Sequence, residues 1–114
     1  MEKKTKYGLI EIDDRVLSKI IKDSIKKAEG KVILHDKKGN LEISCDEEID
    51  ISFDVDVKFG SSIKENTDTI LNEIQSVIEP MKLGKKINLT LNVKGMVLNK
   101  GNIVDRDIEI IREF

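Results

Sequence analysis

Apolar and polar residues alternate strictly over residues 49–59. A period of two predicts a β-strand with one buried side and one solvent-facing side. The apolar side consists of Ile49, Ile51, Phe53, Val55, Val57 and Phe59, and the polar side consists of Asp50, Ser52, Asp54, Asp56 and Lys58. Both Phe53 and Phe59 are therefore expected to face a core.

The pattern changes to that of a helix after Gly60. Ser62 and Glu65 have the S-x-x-E spacing of a capping box, in which a hydroxyl and a carboxylate bind free amides at a helix start. Apolar positions then recur three and four residues apart, which predicts an amphipathic helix whose last turn is marked by Pro80. Its stripe is Ile63, Thr67, Ile70, Leu71, Ile74, Val77 and Ile78.

Another helix is predicted between residues 13 and 30. Asp13 or Asp14 would cap its start, and Gly30 would end it. Its apolar stripe is Val16, Leu17, Ile20, Ile21, Ile25 and Ala28. A short strand at residues 7–12 is expected to precede it.

Alternation predicts further strands at residues 31–35, 41–45 and 87–98, with Gly95 breaking the phase of the last one. The tail after residue 102 fits a strand or a helix, and the extended form is favoured. The fold class that follows is α+β, a mixed sheet of four to five strands with two helices packed on one face. We expect a single domain over residues 1–114, with a core at about 7–98 and a tail at 99–114.

The composition of the chain excludes only a few classes of function. The formal net charge is -2, which gives no general attraction to nucleic acid. No apolar run approaches the roughly 20 residues that span a bilayer, and no signal-peptide core follows the basic N-terminus, so a soluble cytoplasmic protein is expected. Cys45 is interpreted as a small buried hydrophobe and His35 as a surface or strand-end residue. No disulfide, zinc site or cofactor is predicted.

Two groups of residues could carry chemistry. Asp50, Asp54 and Asp56 lie on one strand face, where carboxylates could transfer protons or hold a hard cation, but alternation favours a solvated outer face. Gly60, Ser61 and Ser62 could seat an anion on free amides, although a structural cap would use the same groups.

A docking surface is the other candidate. The polar sheet face would hold Asp50, Asp54, Asp56, Asn88, Thr90, Asn92 and Lys94. The tail would contribute Ile108, Ile110, Ile111 and Phe114, either as a strand offered to a neighbouring chain or packed on its own core.

Four segments resemble the alkaline shock protein family, also called the envelope stress response family of Gram-positive bacteria. Residues 7–20 are similar to its opening strand and V-x-x-I helix, and residues 28–32 to its helix exit. Residues 54–63 resemble its valine strand ending in aromatic-glycine, and residues 87–96 its closing strand. The first helix departs from the family by its many lysines.

This resemblance implies a non-enzymatic cytoplasmic protein without a cofactor. It further implies a homo-oligomer that collects at the membrane through a membrane-anchor protein. Two rival functions remain. A KH-like nucleic-acid-binding module would need a basic G-x-x-G loop, which this chain lacks, so nucleic acid is not the expected partner. A small enzyme or metal binder would use the face around Asp54.

Overall fold

The computed structural model describes residues 14–28, 31–35, 41–98 and 101–114. The elements are α1 (Asp14–Lys26), β1 (Val32–Leu34), β2 (Leu41–Cys45), β3 (Ile49–Lys58), α2 (Ile63–Ile78), a short 3-10 turn (Glu79–Met81), β4 (Ile87–Val97) and β5 (Ile103–Glu113). The predicted α+β class is confirmed, with a mixed sheet of five strands. The strand predicted at residues 7–12 and the cap at Asp13 lie outside the described residues.

The sheet is built around β3. β1 and β2 pair antiparallel with β3, one after the other along the same edge. β4 pairs parallel with β3 on its other side, because α2 carries the chain back to the starting end of the sheet. β5 returns antiparallel beside β4 and is the end strand of the order β1-β3-β4-β5.

One side of this sheet is the hydrophobic core. Leu17, Ile21, Phe53, Ile70, Leu71, Ile74, Leu89 and Leu91 are among its largest fully buried side chains, and they come from both helices and the two central strands. We call this the helix side and the opposite, mainly polar side the outer face. None of the described helices is long and apolar enough to cross a bilayer.

Two predicted core residues are instead exposed. Phe59 is 52% exposed because β3 ends at Lys58 and the chain turns directly after Phe59, at Gly60 with φ +91. Val16 is 45% exposed at the start of α1. Both predictions extended a periodic pattern beyond the residues that touch the opposite layer.

The tail is extended, as favoured from the sequence. Ile110 and Phe114 pack against the core. Arg112 binds the α2 side chain of Asn72 and lies 3.9 Å from the Asp68 carboxylate. β5 is therefore fastened to the sheet through its helix side. The pairing of β4 with β5 shifts between Val93 and Gly95, where the sequence predicted a break in phase.

Candidate docking surface

The polar residues predicted for the sheet face do lie together on the outer face. Cross-strand pairing places Asp50 beside Asn88 and Asp54 beside Asn92. The Asn88 amide donates to Asp50 Oδ1 at 2.7 Å, and the Asn92 amide donates to Asp54 Oδ1 at 3.0 Å. Thr90 lies between the two pairs. These amides stabilise the carboxylates as a polar ladder across β3 and β4.

Asp56 differs from the other carboxylates of β3. It was expected on a solvated face, but it is 2% exposed. Its Oδ1 lies 2.9 Å from Nδ1 of His35, which directly follows β1. The pairing partner of Asp56 on β4 is Gly95, and the side chain of Ile103 comes over this glycine from β5. Neighbouring strands therefore bury a carboxylate that alternation alone places in water.

Gly95 provides the space for this arrangement. A Cβ atom at Gly95 would lie 2.6 Å from Cγ2 of Ile103 and 2.7 Å from Oδ1 of Asp56. We expect Gly95→Ala to lower the free energy of unfolding by about 1–2 kcal/mol, since one extra methyl group overpacks the site. Chemical denaturation measures this change. Adding Ile103→Ala should recover part of the loss by removing one clash, and a Gly95→Ala protein as stable as wild type would contradict the geometry.

The proposed anion seat is already used by the protein. Oγ of Ser62 accepts the backbone N–H of Glu65 at 3.1 Å, which confirms the hydroxyl half of the capping box predicted for α2. Oγ of Ser61 donates to the carbonyl of Lys58 at 2.6 Å. Gly60 has φ +91 and makes the turn. The structure thus favours a structural role for these three residues over a phosphate-like ligand.

The single cysteine is not set up for nucleophilic attack. Burial and, after it, the nearby Asp14 carboxylate raise the pKa of the Cys45 thiol above its usual value. The side chain is half-buried rather than fully buried. Within the described ranges, no three histidine, cysteine, aspartate or glutamate side chains converge as metal ligands would.

The apolar tail residues divide between the two sides of β5. Val93 pairs with Ile108 and Leu91 pairs with Ile110, which places both isoleucines on the helix side. Thr90 pairs with Ile111, so Ile111 lies on the outer face, where it is 55% exposed. The structure therefore brings only Ile111 together with the polar set.

The backbone of β5 has an unpaired side along its length. Ile87 and Phe114 exchange both of their N–H···O bonds, at 2.7 and 3.0 Å. Because bonded and non-bonded pairs alternate along an antiparallel ladder, residues 108, 110 and 112 also bond to β4, while Glu109, Ile111 and Glu113 point their amides and carbonyls away from it.

The same reasoning applies at the other end of β5. The Leu98 amide donates to the Asn102 carbonyl at 2.7 Å, so Val104 bonds inward while Ile103 and Asp105 point outward. No strand among the described residues pairs with this outward side. We call it the open edge of β5.

Sequence reasoning missed Ile103, Asp105 and Glu109 as members of this surface. Their alternation was visible, but the edge on which they lie depends on where β5 enters the sheet.

Comparison of the chain with family models, with curated proteins and with solved structures gave no match.

Proposed function

We propose that the protein is a non-enzymatic interaction module that binds an extended segment of another protein chain along the open edge of β5. The observation that carries this proposal is an eleven-residue end strand whose outward amides and carbonyls have no backbone partner in the described part of the chain. Such an edge is a template for strand addition, in which main-chain hydrogen bonds provide affinity and alternate side chains provide specificity.

The surroundings of the edge support this use. Ile103 and Ile111 place apolar side chains beside the outward backbone groups, 53% and 55% exposed. Arg112, Ile110 and Phe114 fix the opposite side of β5 to α2 and the core. A strand that is already ordered loses little conformational freedom when it binds, which favours affinity.

The resemblance to the alkaline shock family suggests a cellular setting for this module. We propose self-association and binding of a membrane-anchor protein at the cytoplasmic side of the membrane. The described residues offer no specific observation for the KH-like alternative, and retention on RNA that weakens with salt would be the result in its favour.

A proline on the open edge tests the proposal. The amide of Ile111 points away from β4, so Ile111→Pro removes an outward donor without removing a hydrogen bond of the sheet. At high salt, we expect light scattering of the wild-type protein to show a molar mass that rises with protein concentration. Under the same conditions the Ile111→Pro protein should stay monomeric. Unchanged circular dichroism would show that the variant is folded.

Val16→Ala is the matched control. It removes a similarly exposed apolar side chain from α1, the helix that packs on β1 and β2 at the opposite edge of the sheet, and should leave association unchanged. A wild-type protein that remains monomeric at every concentration and salt level would refute self-association. Equal association of wild type and the proline variant would refute the role of β5.

A further inference from the structure

We propose that the preferred occupant of the open edge is an extended segment of another protein that alternates lysine or arginine with apolar residues, rather than the β5 strand of a second copy. The inference rests on the proposed function, because it takes the open edge as the docking surface. The chemistry of the segment follows from the charges and apolar groups beside that edge.

Four carboxylates lie on the outer face of β5. The amides and carbonyls of Asp105, Glu109 and Glu113 point away from β4, and the Asp107 carboxylate already lies 3.5 Å from Nζ of Lys94. A strand added to this edge places one of its residues directly opposite each of the three outward-pointing residues, with the Cβ atoms about 5 Å apart. Glu113 already has a cation, Nζ of Lys86 at 3.1 Å. Asp105 and Glu109 form no ion pair with the described residues, so lysine or arginine side chains of the added strand could form ion pairs with their carboxylates.

The helix side of the same edge is mostly apolar, apart from Arg112, which is held by Asn72 and Asp68 of α2. Val104 and Ile108 are partly exposed there, and Ile110 lies half-buried beside the core. Residues of an added strand that point to this side would cover them. Because successive side chains of a strand point to opposite faces, the fitting sequence has cations on one face and apolar residues on the other.

A second β5 strand fits this edge less well. Two antiparallel copies related by a twofold axis present the same face to the same side, so each copy would add Asp105, Glu109 and Glu113 to one surface. Like charges in opposite or diagonal positions are destabilising. The two arginines of β5 do not offset its four carboxylates. Arg112 points to the helix side and binds Asn72 of α2, and Arg106 donates to the Asp105 carbonyl of its own strand. Self-association through β5 is therefore expected to need salt.

Binding of short labelled peptides, measured by fluorescence anisotropy, tests this selectivity. The probes alternate valine with lysine, threonine or glutamate. We expect the lysine–valine peptide to bind about tenfold more tightly than the threonine–valine peptide at low salt, since several exposed charge pairs each contribute modestly. The glutamate–valine peptide should bind most weakly. Raising the salt concentration should reduce the differences in affinity among the three peptides.

Two variants locate the effect. Asp105→Asn combined with Glu109→Gln should remove most of the preference for lysine, while Ile111→Pro should weaken binding of all three peptides. Equal binding of the lysine and threonine peptides, both weakened by Ile111→Pro, would overturn the charge selectivity and leave the docking edge standing. Lysine–valine binding that is insensitive to Ile111→Pro would overturn both.

A peptide of this chain's residues 1–13 belongs in the same panel. Lys3, Lys4 and Lys6 precede the strand predicted at residues 7–12, a segment that lies outside the described residues. Weak binding of this peptide supports an occupant from another protein. Binding as tight as that of the lysine–valine peptide, lost with Ile111→Pro, would overturn that part of the proposal by assigning the edge to the N-terminal segment of this protein, from the same or a second copy.

Discussion

Replacing Phe53 by alanine is expected to lower the free energy of unfolding by about 3–5 kcal/mol, because it empties a fully buried aromatic site. Phe53 has no exposed surface and lies on β3, between β2 and β4. The surrounding leucine and isoleucine side chains come from several elements and cannot all move to fill the cavity. Urea denaturation followed by circular dichroism measures the loss.

Phe59 provides the matched control on the same segment. It is the same residue type six positions later, but 52% of its surface is exposed. Phe59→Ala is expected to change the free energy of unfolding by no more than about 0.5 kcal/mol, as is usual for surface substitutions. Similar losses for the two variants would mean that the core does not end at Lys58.

The contrast between these two residues shows what the periodicity of a sequence can predict about burial and what it cannot. Alternation identified β3 and the buried sides of β3 and β4, because a strand covered on one face must alternate. It could not find the last residue of the strand, since the pattern continues through Phe59 while the backbone turns at Gly60. The same limit applies to Val16 at the start of α1. Periodicity gives the direction of a side chain but not the extent of the layer that covers it.

The candidate surface was predictable only in part. The polar set on β3 and β4 follows from alternation, and its members are together as expected. The open edge of β5 does not follow from alternation, because strand order is set by which elements pair across the sheet. The burial of Asp56 was hidden for a similar reason. His35, Gly95 and Ile103 are distant in sequence and come near Asp56 only through three strand pairings, β1 with β3, β3 with β4 and β4 with β5.

The His35–Asp56 pair leads to the second large effect. We expect His35→Ala to lower the free energy of unfolding by about 1–3 kcal/mol, because it leaves the buried Asp56 carboxylate without its histidine partner. The Asp56 side chain is only 3% exposed, so water cannot readily replace the lost hydrogen bond. Asp56→Asn in the His35→Ala background should recover part of the stability, because a neutral amide costs less to bury than a carboxylate.

Asn92→Ala likewise removes the hydrogen-bond partner of a β3 carboxylate. It removes the amide donor from Asp54, a carboxylate on the same strand that is only partly buried and that water can reach. Its expected cost is about 0.5 kcal/mol, at the low end for a hydrogen bond that water can replace. Thermal and urea unfolding of the two single variants and the double variant would separate the cases. If His35→Ala and Asn92→Ala cost the same, Asp56 is as well hydrated as Asp54, and neither Gly95 nor Ile103 shields it.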